Sequence, residues 1–290
     1  MEKSEADLAG LRNALPSPLP HNLRPQDLLR MVEELYELLH DINTRLVDRG
    51  YDRLEELLEP AGFSGLISSA VVDGLAKFSR ALVKNAHHNG FPDLLPKGVY
   101  PDDAVQRGDR RGGLEVKASR SEAGWQSHGP RAGWFCVVQF EIDRDPAKAL
   151  QDREPTTVRS MLVAELEVGD WSWQPAAPGR IRSGTASVTP TGAAKLREGA
   201  VWVDPDYQTA HEERLVAARR RLFSGQAIDL VLEELDRTSE PLKPTEVAER
   251  LGPAARLDPA LIRSPVQSAL RVLVSDGRAH RPARGLYERV

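Results

Sequence analysis

A single cysteine, Cys136, stands among 290 residues. That excludes an internal disulfide and any cysteine-rich zinc site, and it fits a reducing cytoplasm. Its neighbours form the apolar run "WFCVVQF", so the thiol reads as a small buried hydrophobe rather than a nucleophile. Long hydrophobic runs are also missing, since none approaches the roughly 18 residues that a bilayer span needs. The opening "MEKSEADLAGLRNALPSPLP" is polar and of mixed charge, without the hydrophobic core of a secretory signal. The expectation is a cytoplasmic protein with no membrane partner and no disulfide partner. An excess of positive charge is lacking too. The net charge of -4 argues against indiscriminate coating of nucleic acid but leaves room for a local basic groove. Residues 1–60 carry 13 acids against 7 bases, whereas the 28 residues from Arg263 carry six arginines against Asp276 and Glu288. If the protein meets DNA, its N-terminal part is the least suited surface.

The chain reads as a few segments, in line with a length that predicts about two domains. Residues 1–60 form an N-terminal helical region. In "QDLLRMVEELYELLHDINTRLVDRG" the residues Leu28, Val32, Leu35, Leu39, Ile42 and Leu46 make a heptad seam of about three repeats. Such a seam packs on its own domain or dimerises. A second amphipathic stretch, "YDRLEELLEP", is predicted to fold back on the first and stop at Pro60. Residues 61–210 are mixed α/β: a helix over "SGLISSAVVDGLAKFSRALVKNAH", then β-rich runs "GGLEVKAS", "GWFCVVQFEID", "VRSMLVAELEVGDWSW", "RSGTASVTP" and "GAVWVD", with a short helix at "TGAAKLREG". That order predicts one mixed sheet with helices against it. Residues 211–225 read as a charged linker helix. Residues 226–290 hold helices at "QAIDLVLEELDRT", at "KPTEVAERLG" closed by Gly252, and at "SPVQSALRVLVSDG" with Ser264 as cap and Pro265 at the first helical position. Two short strands around a turn at Arg284–Gly285 follow. Three helices and a terminal hairpin resemble a winged helix over about 65 residues.

The chemistry concentrates in "NGFPDLLPKGVYPDDAVQRGDRRGGLEVKASR". Alternate strand residues share a face, so Glu115 and Lys117 point one way while Leu114 and Val116 point into the apolar interior. Asp93 follows Pro92, where a turn enters a neighbouring strand. If the two strands pair, one patch holds two carboxylates and an ammonium group. Two carboxylates suit Mg²⁺, which prefers oxygen ligands and keeps several waters, and the Val116 carbonyl can supply a further ligand. A bound metal lowers the pKa of its water and polarises a phosphate. Lys117 would orient or deprotonate the attacking water and stabilise the developing anion. The plainer alternative is a strand-edge ion pair between Lys117 and a carboxylate.

"PDLLP" followed by "GGLEVKAS" resembles the PD-(D/E)XK nuclease superfamily, and within it the type II restriction-endonuclease domains. The resemblance is best over Ala86 to Asp143 and extends more loosely to about Asp204. It implies Asp93 and Glu115 as metal ligands, Lys117 as the catalytic lysine, and Mg²⁺ as cofactor, for which Mn²⁺ can substitute. It also implies a restriction-endonuclease-like core, a central mixed sheet flanked by helices. Many members carry an acid in the preceding helix, where Asp73 is the candidate here.

Further candidates surround this motif. Gln139 would face the site from the next strand, with Glu141 two residues on. His87 and His88 read as a turn in which Gly90 supplies the bend, with His88 near enough to contact phosphate. The loop after Lys117 offers Arg120, Trp125, Gln126, His128 and Arg131 for reading base edges or, for Trp125, stacking on an exposed base. In the C-terminal segment Gln267, Ser268 and Arg271 lie off the apolar helix face, and Arg281 and Arg284 on the wing, the usual DNA-reading surface. The leading expectation is a Mg²⁺-dependent DNA endonuclease of restriction or defence type, acting on double-stranded DNA as a homodimer. The alternatives are a winged-helix transcription regulator without catalysis, and a DNA-repair or RNA nuclease using the same core.

Overall fold

The computed structural model describes residues 3–11, 18–108, 112–175 and 184–290. They divide into two compact units, Met1–His211 and Glu212–Val290. Parts of "QRGDRRGG" (residues 109–111), of "RSGTASVTP" (182–183) and of the Pro-rich stretch near residue 16 lie outside the described residues.

In the first unit, helix α1 (Pro25–Asp48) opens with a proline in its first turn, and the Asp27 carboxylate accepts the Arg24 main-chain N–H at 3.1 Å. Both features favour a helix start. Leu28, Val32, Leu35 and Leu39 of the heptad seam are buried in a core shared with helix α3 and the sheet, so the seam packs within its own unit. The predicted second amphipathic helix is only one turn, α2 (Leu54–Leu57), and Pro60 begins α3 (Pro60–Phe78) rather than ending its predecessor. Proline fits a first helical turn because that turn's N–H has no intrahelical partner. The helix expected to run on through "RALVKNAH" ends at Phe78. The Ser79 hydroxyl accepts the N–H groups of Ala81 and Leu82 at 3.2 and 3.3 Å, turning the chain into strand β1 (Leu82–Lys84).

Eight more strands follow: β2 (Leu94–Pro96), β3 (Leu114–Ser119), β4 (Gln126–Ser127), β5 (Gly133–Glu141), β6 (Thr157–Leu166), β7 (Trp171–Gln174), β8 (Thr185–Val188) and β9 (Ala200–Val203). The central sheet has the order β1-β2-β3-β5-β6-β9. Its β3–β5 pair is parallel, and the other pairs are antiparallel. The side-chain period of two separates two cores. Val116, Cys136, Val138 and Phe140 face α1 and α3. Phe135, Val137, Leu162 and Leu196 pack on the other face, with α4 (Pro190–Glu198) and the small sheet β4-β8-β7. The result is a mixed α/β unit, a central mixed sheet flanked by helices. Cys136 is fully buried, and burial pushes its thiol up to about 12. Among the described residues no helix is long and apolar enough to cross a membrane.

A polar network that the sequence did not announce lies under α1. The Arg53 guanidinium is buried in an ion pair with Glu55 and donates to the carbonyls of Arg153 and Glu154 at 2.8 and 3.0 Å. Asn43 completes it by donating to Glu55 at 2.9 Å and accepting from Leu54 N–H at 2.7 Å.

The second unit has three helices and a hairpin. Helix α5 (Gln208–Asp236) is continuous, where the sequence predicted a linker helix and then a separate one. Helix α6 (Pro244–Ala255) passes Gly252 and ends where Arg256 takes a left-handed conformation. Helix α7 (Pro259–Ser275) starts before Ser264, capped by Asp258, which accepts from Ala260 N–H at 2.7 Å. Pro265 therefore lies inside the helix, where it removes one backbone hydrogen bond. Strands β10 (Ala279–His280) and β11 (Glu288–Arg289) pair antiparallel, and Leu242 and Tyr287 exchange main-chain bonds of 2.8 and 2.9 Å. Val231, Leu235, Val247, Ile262, Leu270 and Leu273 form this unit's core.

Candidate active site

Strands β2 and β3 pair at Leu94 and Leu114 alone. Just beyond that pair Asp93 turns its Oδ2 to accept the Val116 N–H at 2.9 Å. The close approach depends on Gly113 (φ +151), because a Cβ there would meet Pro92 Cγ at 2.2 Å and the Leu94 carbonyl at 2.4 Å. The strand period puts Glu115 and Lys117 on the face opposite Val116, beside Phe135 and Val137 of parallel β5. Lys117 Nζ lies 2.5 Å from Glu115 Oε1. Lys117 and Glu115 are thus in contact, and the Asp93 carboxylate is anchored on the main chain of the residue between them.

Its electrostatics are uneven. The Glu115 carboxylate is buried, and among the described residues its Oε2 has no hydrogen-bond partner. Burial raises the Glu115 pKa to about 6; Lys117 and Arg131 pull it down, and the nearby Asp93 charge pushes it up. A buried carboxylate oxygen without a donor is costly, and a cation with oxygen ligands satisfies it. Among the described residues, no group of three or more His, Cys, Asp or Glu side chains is placed to hold a metal. Two carboxylates and a main-chain carbonyl suit a hard cation that keeps water ligands, so the residues present fit Mg²⁺.

A cleft of about 570 Å³ opens beside the group, between α3 (Ser68, Ser69) and the turn that carries His87 and His88, with Asp93 and Lys117 on its wall. Asn85 organises this turn. Its amide donates to the carbonyls of Pro92 and Val105, both at 2.9 Å, and accepts from the N–H groups of His87 and Val105, both at 3.0 Å. Its main-chain N–H donates to the Asp93 carbonyl at 2.8 Å. Asn85 therefore sets where Asp93 stands, a role that its sequence neighbours do not mark. The bend assigned to Gly90 is made by Asn89 (φ 56). Gly90 is needed instead because a Cβ would come within 2.3 Å of Asn85 Nδ2.

Other candidates are placed differently. Gln139 shares the face of Lys117, but its amide accepts from Ser160 Oγ at 2.6 Å and donates to the Ser121 carbonyl at 3.3 Å. Glu141 is engaged with Arg159 and Tyr207. Asp73 is exposed and paired with Lys84 at 2.7 Å. Trp125 corrects the base-stacking expectation: it is buried in the second core, its indole N–H donated to the Ser121 carbonyl at 3.0 Å, so its ring packs locally. Arg120, Gln126 and His128 are exposed, while Arg131 is half-buried over the Phe91 ring, 4.4 Å from its centroid. In the second unit Gln267, Ser268 and Arg271 are exposed on α7, and Arg281 and Arg284 are exposed in the hairpin. No protein-family model matches the chain, and no curated protein matches it significantly.

Proposed function

We propose that the first unit is a Mg²⁺-dependent endodeoxyribonuclease of the PD-(D/E)XK type, of restriction or defence use. The observation that carries the reading is the meeting of Asp93, Glu115 and Lys117 at the point where β2 leaves β3, with one Glu115 oxygen buried and unpartnered. An ion pair made for stability alone gives no reason to bury a second carboxylate oxygen without a donor.

Asp93, Glu115 and the Val116 carbonyl would hold the cation, which when bound lowers the pKa of a coordinated water and offsets charge on the phosphate. Lys117, beside Glu115, orients the attacking water. The water oxygen bonds to phosphorus, the ester P–O bond breaks, the water proton passes to solvent, and the leaving oxygen takes one up. Hydrolysis of both strands needs two such sites, which makes a homodimer part of the proposal. That part rests on the chemistry of a duplex, since Leu28, Val32, Leu35 and Leu39 of the α1 seam are buried in the first unit's own core.

The second unit, read as a winged helix, would add DNA affinity through Gln267, Ser268 and Arg271 of α7 and through Arg281 and Arg284. Their exposure and the local arginine excess favour this. The same exposure keeps a non-catalytic regulator as the second reading. Purified protein incubated with Mg²⁺ and unmodified, methylated or hydroxymethylated duplexes, and with RNA, separates these readings. Discrete Mg²⁺-dependent DNA fragments, lost in Glu115→Ala and Lys117→Ala, are expected. Sequence-specific binding without cleavage, equal in wild type and both variants, would leave the regulator.

A further inference from the structure

Among the described residues of the first unit, five arginines are buried or half-buried: Arg53, Arg131, Arg153, Arg159 and Arg197. Four of them have an acidic or carbonyl partner. Arg53 pairs with Glu55, Arg153 with Glu56, Arg159 with Glu141, and Arg197 donates to the Glu122 carbonyl. Arg131 has neither kind of partner among the described residues, and its guanidinium lies over the Phe91 ring. An aromatic face holds a cation in place but does not neutralise it, and a guanidinium that makes no ion pair or hydrogen bond among the described residues keeps its N–H donors for a ligand. An incoming anion would take them up.

The position of Arg131 is set by the site's own scaffold. Its carbonyl accepts the Trp171 indole N–H at 2.7 Å, and Trp171 packs on Phe135, ring centroids 5.2 Å apart. Phe135 is the register partner of Glu115, and Phe91 stands two residues before Asp93. The Phe91 ring beneath the guanidinium also packs on Phe135, ring centroids 6.2 Å apart. Three of the site's charges therefore belong to Asp93, Glu115 and Lys117, and the fourth to Arg131.

We propose that Arg131 is a further catalytic residue, the cation that receives a non-bridging oxygen of the scissile phosphodiester. The assignment rests on the phosphodiesterase reading above, and it replaces the base-reading task expected from the residue's loop. As the water oxygen bonds to phosphorus and the ester P–O bond breaks, charge grows on the non-bridging oxygens. A guanidinium meets it with fixed N–H donors and loses no proton.

The test uses the full chain with Arg131→Gln and Arg131→Lys. It reads cleavage of the DNA that the wild type cuts and, separately, Mn²⁺ affinity without DNA. Arg131→Gln is expected to lower kcat by about 10²–10³-fold, the usual loss for one donor at a developing oxyanion. Arg131→Lys should recover part of that, because an ammonium keeps the charge but lacks the planar fork. Mn²⁺ binding should hold or tighten in Arg131→Gln, since a cation has been removed from beside two carboxylates. A merely structural residue would lose Mn²⁺ binding and cleavage together, and that result overturns the assignment. Cleavage by Arg131→Gln within about twofold of wild type also overturns it, leaving the nuclease reading intact. A wild type that cuts none of the nucleic acids overturns that reading and Arg131 with it.

Discussion

Glu115→Gln tests the electrostatics of the site without requiring a substrate. The folded protein holds the Glu115 proton more tightly than an unfolded chain does, with a pKa of about 6 against the ordinary 4.5, because the carboxylate is buried. Stability from this group is fully present below about 4.5 and is lost as pH rises through about 6. The shift corresponds to about 2 kcal/mol. Glutamine keeps the shape and carries no charge, so the variant escapes that loss. The pull of Lys117, whose ammonium is 30% exposed, is already contained in that pKa, and screening by water sets the lower end of the gain. The variant should match or fall slightly below wild type near pH 4.5 and gain on it by about 1–2 kcal/mol near pH 8, or roughly 2–8 °C in Tm for a unit of this size. All five tryptophans, at positions 125, 134, 171, 173 and 202, lie in the first unit, so tryptophan fluorescence follows its unfolding alone. Added Mn²⁺ should raise the wild-type Tm at the higher pH and leave the variant's unmoved. A stability difference between the two proteins that is constant across this pH range would refute the burial argument.

Three other outcomes follow from named contacts. Asn85→Ala removes four side-chain hydrogen bonds around Asp93 and should weaken Mn²⁺ binding about tenfold or more, the loss typical for a group that orients a ligand; titration calorimetry reads it, and unchanged affinity would show that Asp93 holds its place without the amide. Arg53→Ala leaves Glu55 buried without its ion-pair partner and should cost about 3–5 kcal/mol in urea unfolding, whereas Arg53→Met with Glu55→Met should recover most of it. Arg271→Ala and Arg281→Ala should each flatten the salt dependence of DNA binding by about one unit of slope if they meet phosphates; an unchanged slope would take the second unit off the nucleic acid.

The elements most legible in sequence are those whose side-chain period is unbroken. The run "GWFCVVQFEID" alternates between two cores along its length, and β5 covers Gly133–Glu141. The seam of α1 is equally regular. The misplaced ends share one cause, that punctuation by proline and serine reads both ways. Pro60 and Pro259 start helices, Pro265 sits within one, and Ser79 turns the chain out of α3 into β1 by accepting two N–H groups. In α7 the signal "SP" at 264–265 was outweighed by Asp258, whose carboxylate caps the helix earlier. Local preference leaves such choices open, and the packing of Ile262 into the second unit's core selects between them.

The site divides along the same line. Glu115 and Lys117 could be placed on one face because their spacing is itself the strand period, and Asp93 needed only one strand pairing to join them. Asn85 could not be found that way. Its amide reaches Val105, which is 20 residues away and carries no side-chain chemistry to mark it. Trp125 was misjudged for the converse reason: an indole in a loop looks available until the Ser121 carbonyl and the second core are seen to take it. Arg131 is the extreme case. What distinguishes it from Arg53, Arg153, Arg159 and Arg197 is the lack of an acidic or carbonyl partner among the described residues, which depends on what the fold places around it. No residue pattern encodes such an absence. A half-buried cation and a buried carboxylate oxygen that lack partners among the described residues become visible as a demand for ligand only when the neighbours of both are accounted for.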